Sequence, residues 1–191
     1  KLDGIGHLLE HEEGVEILLP PIPAALTEEV IAFFRRVYRR LRGEAVVLLY
    51  FSSETQQYEA VVPPQYVNDS ECDYEVEATP PGWQLMGTIH SHCKGPAYHS
   101  TADDLDEGEM EGLHITIGNL DGPLSFSCSL VVDFRRAPLD PKDVLAGYPD
   151  LGRQRKGFRL VDQWMRSVKR KPLVVDVADL EVLLMAAPAA F

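Results

Sequence analysis

The feature that most constrains the fold is an uninterrupted apolar run at residues 45–51, AVVLLYF. A strand with one solvated face alternates apolar and polar residues, whereas this run has no charged or small polar position. Both faces of such a strand must therefore be covered by other elements. The run predicts a central strand in a protein whose helices and strands pack in layers.

A helix is predicted directly before this run. Apolar residues recur there at helical spacing and predict one buried stripe, namely Val30, Ile31, Phe33, Phe34, Val37, Tyr38 and Leu41. We expect the helix to begin at Thr27, with Glu28 and Glu29 in the first turn, where carboxylates complement the helix dipole. Gly43 is expected to end it, because glycine is common just after a helix C terminus. The arginines near its end are expected to form a solvated face.

Further elements are predicted along the rest of the chain. Alternating or apolar runs indicate strands at 14–19, 58–62, 83–89, 113–118 and 125–134, the second of them forming a hairpin with the central strand. A short helix is expected at 138–147 and an edge strand at 158–162, and 173–185 is apolar enough to pack. These elements together predict a mixed α/β fold.

The stretch 63–82 is long, acidic and flanked by prolines. Loops of this length inside a compact domain tend to be functional or mobile. It is predicted to be either a gate beside a functional site or an ordered excursion without a role.

The residues that carry chemistry gather at 87–112, GTIHSHCKGPAYHSTADDLDEGEMEG. His90 and His92 are two apart at a predicted strand end, so at a period of two residues their side chains point to the same face. Two imidazoles on one face suit a single zinc ion, with Zn–N distances of ~2.0–2.1 Å. Asp103 follows on a different element, where it can add a third protein ligand and leave one position for water.

Simpler explanations exist for these residues. A single histidine on an apolar strand is usually a satisfied core residue, and His114 is expected to be one, but two at i and i+2 beside an acidic turn are seldom only that. The run from Ser100 to Asp103 is also a helix-start pattern, with serine as the N-cap. Both roles are compatible, because a helix that begins at Ser100 would fix Asp103 for ligation. The zinc-protease pattern His-Glu-x-x-His and the deaminase pattern Pro-Cys-x-x-Cys do not occur in the sequence.

At His90-Ser91-His92, Ser100 and Asp103 the sequence resembles the JAMM (MPN or JAB) zinc metalloprotease family. The strand at 113–118, LHITIG, and the compact layout with one motif look more like members of its prokaryotic branch. The resemblance implies the MPN fold, which is similar to that of cytidine deaminases and has a curved central sheet flanked by helices. It implies a catalytic domain at 1–137 and a C-terminal extension at 138–191. Many members have proline after the second histidine, where this chain has Cys93.

The resemblance also implies a role for each site residue. His90, His92 and Asp103 would hold Zn²⁺ together with a water molecule, and the Ser100 hydroxyl would donate to the oxyanion. Glu44, at the mouth of the central strand, would be the general base, although an acid at such a position is usually just an exposed strand end. The implied function is a cytoplasmic zinc-dependent isopeptidase or peptidase that cleaves the C-terminal tail of a ubiquitin-like protein from a conjugate or precursor.

The implied partners are a ubiquitin-like protein or its conjugate, and other proteins of a conjugation operon, antiphage operons included. An alternative from another class is a catalytically inert MPN scaffold that only holds a partner. Inert members usually lack a ligand, whereas this chain has every residue of the motif. A DNA-repair branch with a similar motif is disfavoured by the charge of the chain.

Composition limits the partners further. The net charge is −12, with acids clustered at 69–77 and 103–111, which is the opposite of a nucleic-acid binder's basic stripe. A partner with a basic face is favoured, although a solvated acidic surface is the commoner explanation. Three widely spaced cysteines, Cys72, Cys93 and Cys128, suggest no disulfide framework and fit a reducing cytosol. No apolar run is long enough to span a membrane, so a membrane is not an expected partner. Nucleic acid is not expected either, because the chain is strongly acidic.

Overall fold

The computed structural model describes residues 17–98, 110–154 and 157–172. One long helix, α1, spans Ala24–Leu41, and two short helices follow late in the chain, α2 (Pro141–Val144) and α3 (Val161–Trp164). The strands are β1 (Val46–Ser52), β2 (Gln57–Val61), β3 (Gln65–Val67), β4 (Cys72–Tyr74), β5 (Gln84–His92), β6 (Gly112–Gly118), β7 (Ser125–Val132), β8 (Arg135–Leu139) and β9 (Val168–Arg170).

A six-stranded mixed sheet forms the centre, in the order β2-β1-β5-β6-β7-β8. Neighbouring strands are antiparallel except β5 and β6, which run parallel with His90 opposite Thr116. In the sequence, residues 93–111 lie between these two parallel strands. Both histidines lie at the carboxyl end of β5. The predicted mixed α/β fold is confirmed.

The central strand β1 is buried on both faces, as its sequence predicts. Val47 and Leu49 belong to the main core, which also contains the apolar stripe of α1. Val46, Leu48 and Tyr50 point to the opposite face and form a second cluster. Every residue of β1 is buried. Because alternate side chains of the apolar run enter two different cores, a charged side chain in it would be buried on either face.

The acidic residues early in α1 bind the C-terminal segment. The helix begins three residues earlier than predicted, so Glu28 and Glu29 lie beyond its first turn and the predicted dipole role is wrong. Glu28 Oε1 accepts a hydrogen bond of 2.7 Å from the Gly152 N–H. The Glu29 carboxylate accepts from the N–H groups of Arg159 and Leu160, at 2.8 and 3.1 Å. These contacts tie the chain after β8 to the helix.

Gly43 allows a close approach and is not the helix cap. Arg42 takes the left-handed cap conformation instead, with φ 54° and ψ 41°. A Cβ atom added at Gly43 would lie 2.7 Å from Val67 Cγ2 and 2.9 Å from the Asn68 carbonyl oxygen. The missing side chain therefore lets β3 and the following turn pack against the start of β1.

The predicted loop at 63–82 is wrong in its first half. It contains β3 and β4, which form an antiparallel hairpin with Gln65 opposite Tyr74. β9 adds to β3 in parallel and completes a second sheet in the order β4-β3-β9. Strands of three residues are too short to show a period in the sequence, so their pairing is visible only in three dimensions.

The remaining predicted elements differ in outcome. Those at 58–62, 83–89, 113–118, 125–134 and 138–147 are confirmed as β2, β5, β6, β7 and α2. The predicted strand at 158–162 is wrong, because α3 begins there, and residues 17–19 form no strand. Residues 14–16 and 173–185 lie outside the described part of the chain. The predicted division between 137 and 138 falls within β8.

Candidate active site

An open cleft of ≈ 760 Å³ lies beside the carboxyl end of β5. Glu44, His90 and His92 all line it, so the fold brings together residues that are almost fifty positions apart in the chain. The turn and strand at 69–74 form one wall, and the chain at 93–98 forms another. The cleft is thus built around part of the predicted site.

The two histidines bring two ring nitrogens close together. Their Nε2 atoms are 3.2 Å apart, and both residues are buried. Two ligand atoms on one tetrahedral zinc, each at ~2.0–2.1 Å, are about 3.3 Å apart. His92 Nδ1–H donates to the Pro96 carbonyl at 3.3 Å, so in the neutral ring Nε2, which faces the Nε2 of His90, is the nitrogen that carries the lone pair. The pair therefore fits zinc in donor type and in separation.

The alternation of β5 explains this arrangement. Ser91 lies between the histidines and points to the other face, where its Oγ accepts a 3.1 Å hydrogen bond from the Ala45 N–H. On the histidine side, Thr116 Oγ1 lies 3.3 Å from His90 Nε2. The ring of Tyr98 packs edge-on against that of His92, with centroids 4.9 Å apart. Neighbours on both sides of the strand thus restrict the imidazoles.

Ser100 and Asp103, together with His99, lie outside the described residues. Within the part of the chain that is described, no group of three or more His, Cys, Asp or Glu side chains is arranged to hold a metal ion. The structure therefore gives the positions of His90 and His92 only. The roles of Asp103 as third ligand and of Ser100 as oxyanion donor stay predictions.

Glu44 is half-buried in the short link between α1 and β1. Its backbone N–H donates to the Asn68 carbonyl at 2.9 Å. Val46, two residues later, is paired with His90 across the β1–β5 ladder. The link is therefore held between the hairpin and β5, and Glu44 lines the same cleft as the histidines.

Cys93 adopts a backbone conformation that proline cannot take. Its φ is 38°, in the left-handed region, whereas the proline ring fixes φ near −65°. Burial raises the pKa of the Cys93 thiol to about 12, and the negative charges of Glu44 and Asp69 contribute to the same shift. All three cysteines are free thiols, as their spacing suggested. The loop after the second histidine thus departs from the proline-containing pattern of many JAMM members.

Replacing Cys93 with proline is expected to lower the free energy of unfolding by at least ~1 kcal/mol, since the native φ is incompatible with the ring. Urea denaturation at unchanged m-value measures this. Cys93→Gly is the matched control and should be at least as stable as Cys93→Ala, because glycine accepts positive φ. A proline variant with wild-type stability would contradict the assigned conformation.

His114 is a structural residue, as predicted. It is fully buried on β6, with Nδ1 2.9 Å from Thr88 Oγ1 and Nε2 2.7 Å from the Met110 carbonyl oxygen. Both ring nitrogens are therefore engaged by protein groups, which suits a core histidine and not a ligand.

The sequence did not predict the roles of three residues that shape the site, although Ser91 lies within the motif. Asn68 and Ser91 anchor the backbone at 44–45, and Tyr98 contacts the ring of His92. Ser91 carried a weak signal, because it is a polar residue within a buried strand. Asn68 and Tyr98 carried none, since their roles depend on chain segments that meet only in the fold.

In the described residues, no helix combines the length and the apolar character needed to cross a membrane. Comparison with curated proteins gives no match. Solved structures similar to this chain include the protein DSY2949 from Desulfitobacterium hafniense, with 21% identity, a TM-score of 0.46, and coverage of 64% of this chain and 90% of that chain.

Two further similar structures have comparable coverage. The JAB1/MPN domain protein AF2198 from Archaeoglobus fulgidus has 18% identity and a TM-score of 0.42, over 63% of this chain and 94% of that one. A JAMM structure, described as a metalloprotease-like zinc site in the proteasome and signalosome, has 20% identity and a TM-score of 0.40, over 64% and 96%.

The sequence also matches a family described as prokaryotic homologs of the JAB domain, over residues 9–129. This range is more than half of the chain and contains Glu44, both histidines, Ser100 and Asp103. The chain belongs to the prokaryotic JAB family.

Proposed function

We propose that the protein is a zinc-dependent peptidase that cleaves the C-terminal tail of a ubiquitin-like protein from a conjugate or a precursor. The family includes zinc metalloisopeptidases. The observation that carries the proposal is the pair of Nε2 atoms 3.2 Å apart, which lines one open cleft with Glu44. A buried pair of imidazoles in a cleft suits a catalytic zinc site, where three protein ligands leave a position for water.

His90, His92 and Asp103 would hold the metal. Bound zinc supplies Lewis acidity and lowers the pKa of water to about 7. The Glu44 carboxylate would accept the proton of the attacking water and return it to the leaving amine, so that one group serves as base and then as acid. The Ser100 hydroxyl would donate to the oxyanion that develops on the scissile carbonyl, a contact typically worth roughly 3–4 kcal/mol.

The shape of the cleft supports an extended substrate. β4 is the outer strand of the second sheet and lines the cleft, so an extended tail can add main-chain hydrogen bonds to its edge. Asp69, Glu71 and Asp73 are exposed on this wall and favour a partner with a basic face. Association should accordingly weaken as salt rises.

Wild-type protein is expected to cleave a ubiquitin-like protein joined to a lysine side chain, and to fail when the penultimate glycine of the tail is replaced by leucine. The reason is that ubiquitin-like tails end in small residues, so a site suited to such a tail would exclude a large side chain beside the metal. Release of the two products on a gel, with intact masses of each, measures this.

An unstructured peptide of the same length as the tail is the matched control and should be cleaved far more slowly. Equal cleavage of the peptide, or of the leucine conjugate, would indicate a general peptidase and rule out the ubiquitin-like substrate.

A further inference from the structure

One wall of the cleft is held by a strand that lies outside the family match. β9 pairs with β3 in parallel, with Gln65 opposite Val168 and Val67 opposite Arg170. The ladder continues to Lys171, whose N–H donates to the Val67 carbonyl at 2.8 Å. The match to the JAB family ends at residue 129, so this support comes from the C-terminal part of the chain.

Lys171 also bonds the acidic side chains of the wall. Its Nζ lies 2.8 Å from Asp73 Oδ2 and 3.0 Å from Glu71 Oε2. The hydrogen bonds that Lys171 donates to Asp73 and then to Glu71 raise its pKa. The hydrogen bond that Glu71 accepts from Lys171, followed by the one that it accepts from Asn68, lowers the pKa of Glu71. One ammonium group therefore joins two carboxylates, one on β4 and one just before it.

The inner end of the hairpin has separate anchors. The buried side chain of Gln65 donates to the Val46 carbonyl at 2.9 Å and accepts from the Val46 N–H at 3.0 Å. The Asn68 carbonyl accepts from the Glu44 N–H. These bonds fix β3 to the start of β1 independently of Lys171, so a change at Lys171 acts on the outer residues at 71–73.

We propose that Lys171, carried by β9, is a positioning residue that fixes the acidic wall of the cleft for substrate. It acts through Glu71 and Asp73 and touches neither the histidines nor the scissile bond. The effect on substrate binding rests on the proposed peptidase function. The positioning of the wall does not depend on that function and can be measured without any substrate.

The test compares Lys171→Met, Lys171→Arg and Arg170→Met in the full chain. Arg170 is exposed on the same strand, and the described residues include no ion-pair partner for it, so its variant matches the charge change. In Lys171→Met, deuterium uptake of peptides covering 65–74 should rise about three- to tenfold in rate, the scale of losing two exposed ion pairs. Lys171→Arg should restore protection, and Arg170→Met should match wild type.

The two possible roles of Lys171 predict opposite changes in KM for the Lys171→Met variant. If Lys171 only neutralised charge, Lys171→Met would make the wall more acidic and lower KM for a basic partner. A positioning role predicts that KM rises about three- to tenfold while kcat changes less than about twofold, with zinc content unchanged, since Glu44 and β5 keep their anchors.

Unchanged exchange at 65–74 in Lys171→Met, or equal exchange in Arg170→Met, would overturn the proposal. If wild type cleaves no conjugate but Lys171→Met still loosens the hairpin, the peptidase proposal fails and the positioning role stands. If wild type cleaves and Lys171→Met lowers KM, Lys171 acts as a charge and the positioning role fails.

Discussion

Glu44→Gln is expected to slow hydrolysis by at least about 100-fold while leaving the fold and the zinc content unchanged. Glutamine has nearly the same shape as glutamate, and the backbone N–H of residue 44 can still donate to Asn68. The amide cannot accept the proton of an attacking water at neutral pH, so the general base is lost. Initial rates of conjugate cleavage, with circular dichroism and elemental analysis on the same samples, measure this.

Glu59→Gln provides the matched control for Glu44. Glu59 is exposed on β2, at the edge of the central sheet, and should keep the wild-type rate when its charge is removed. If Glu44→Gln cleaves as fast as wild type, Glu44 is not the base. Glu16 and Asp104, which lie outside the described residues, would then be the next carboxylates to test.

The histidine pair should carry the second large effect. Wild-type protein is expected to bind about one zinc per chain, and His90→Ala or His92→Ala should lose most of it, because two protein ligands hold a cation poorly where three are needed. Elemental analysis after dialysis against buffer free of metal measures the loss. Thermal unfolding of the same samples separates loss of a ligand from loss of the fold.

Cys93→Ser is the control for this experiment. Cys93 is adjacent to His92, and thiolate is a good zinc ligand. If the Cys93 thiol took part in binding, Cys93→Ser would contain less zinc than wild type. We expect the serine variant to keep its zinc. Full zinc retention in both alanine variants would contradict the proposed centre, and so would wild-type protein without zinc.

Local patterns in the sequence determined the parts of the protein that depend on neighbours in the chain. The apolar run at 45–51 required cover on two faces, and β1 has it. The spacing of His90 and His92 placed both on one face of a strand, which is a property of the extended backbone itself. The apolar stripe of α1 was visible because helical spacing is likewise a property of the local backbone.

Only the tertiary structure decided which distant segments meet, because contacts between them leave no period in the sequence. Gly43 is the residue type expected just after a helix, yet its lack of a side chain allows Val67 to pack close to it. Glu28 has the position of a dipole partner, yet it accepts from Gly152. Lys171 carries no signal in a basic run, and its role arises from the pairing of β9 with β3.

For the site, too, part was determined by local sequence and part by tertiary structure. The sequence named Glu44, His90 and His92 as candidates, and the face that the two histidines share followed from strand geometry. The 3.2 Å separation of the Nε2 atoms depends on rotamers that Pro96 and neighbouring strands restrict. The cleft wall depends on the last described strand. Local periodicity determines the longer strands, whereas the three-residue strands and the pocket depend on long-range packing that forms only when the whole chain has folded.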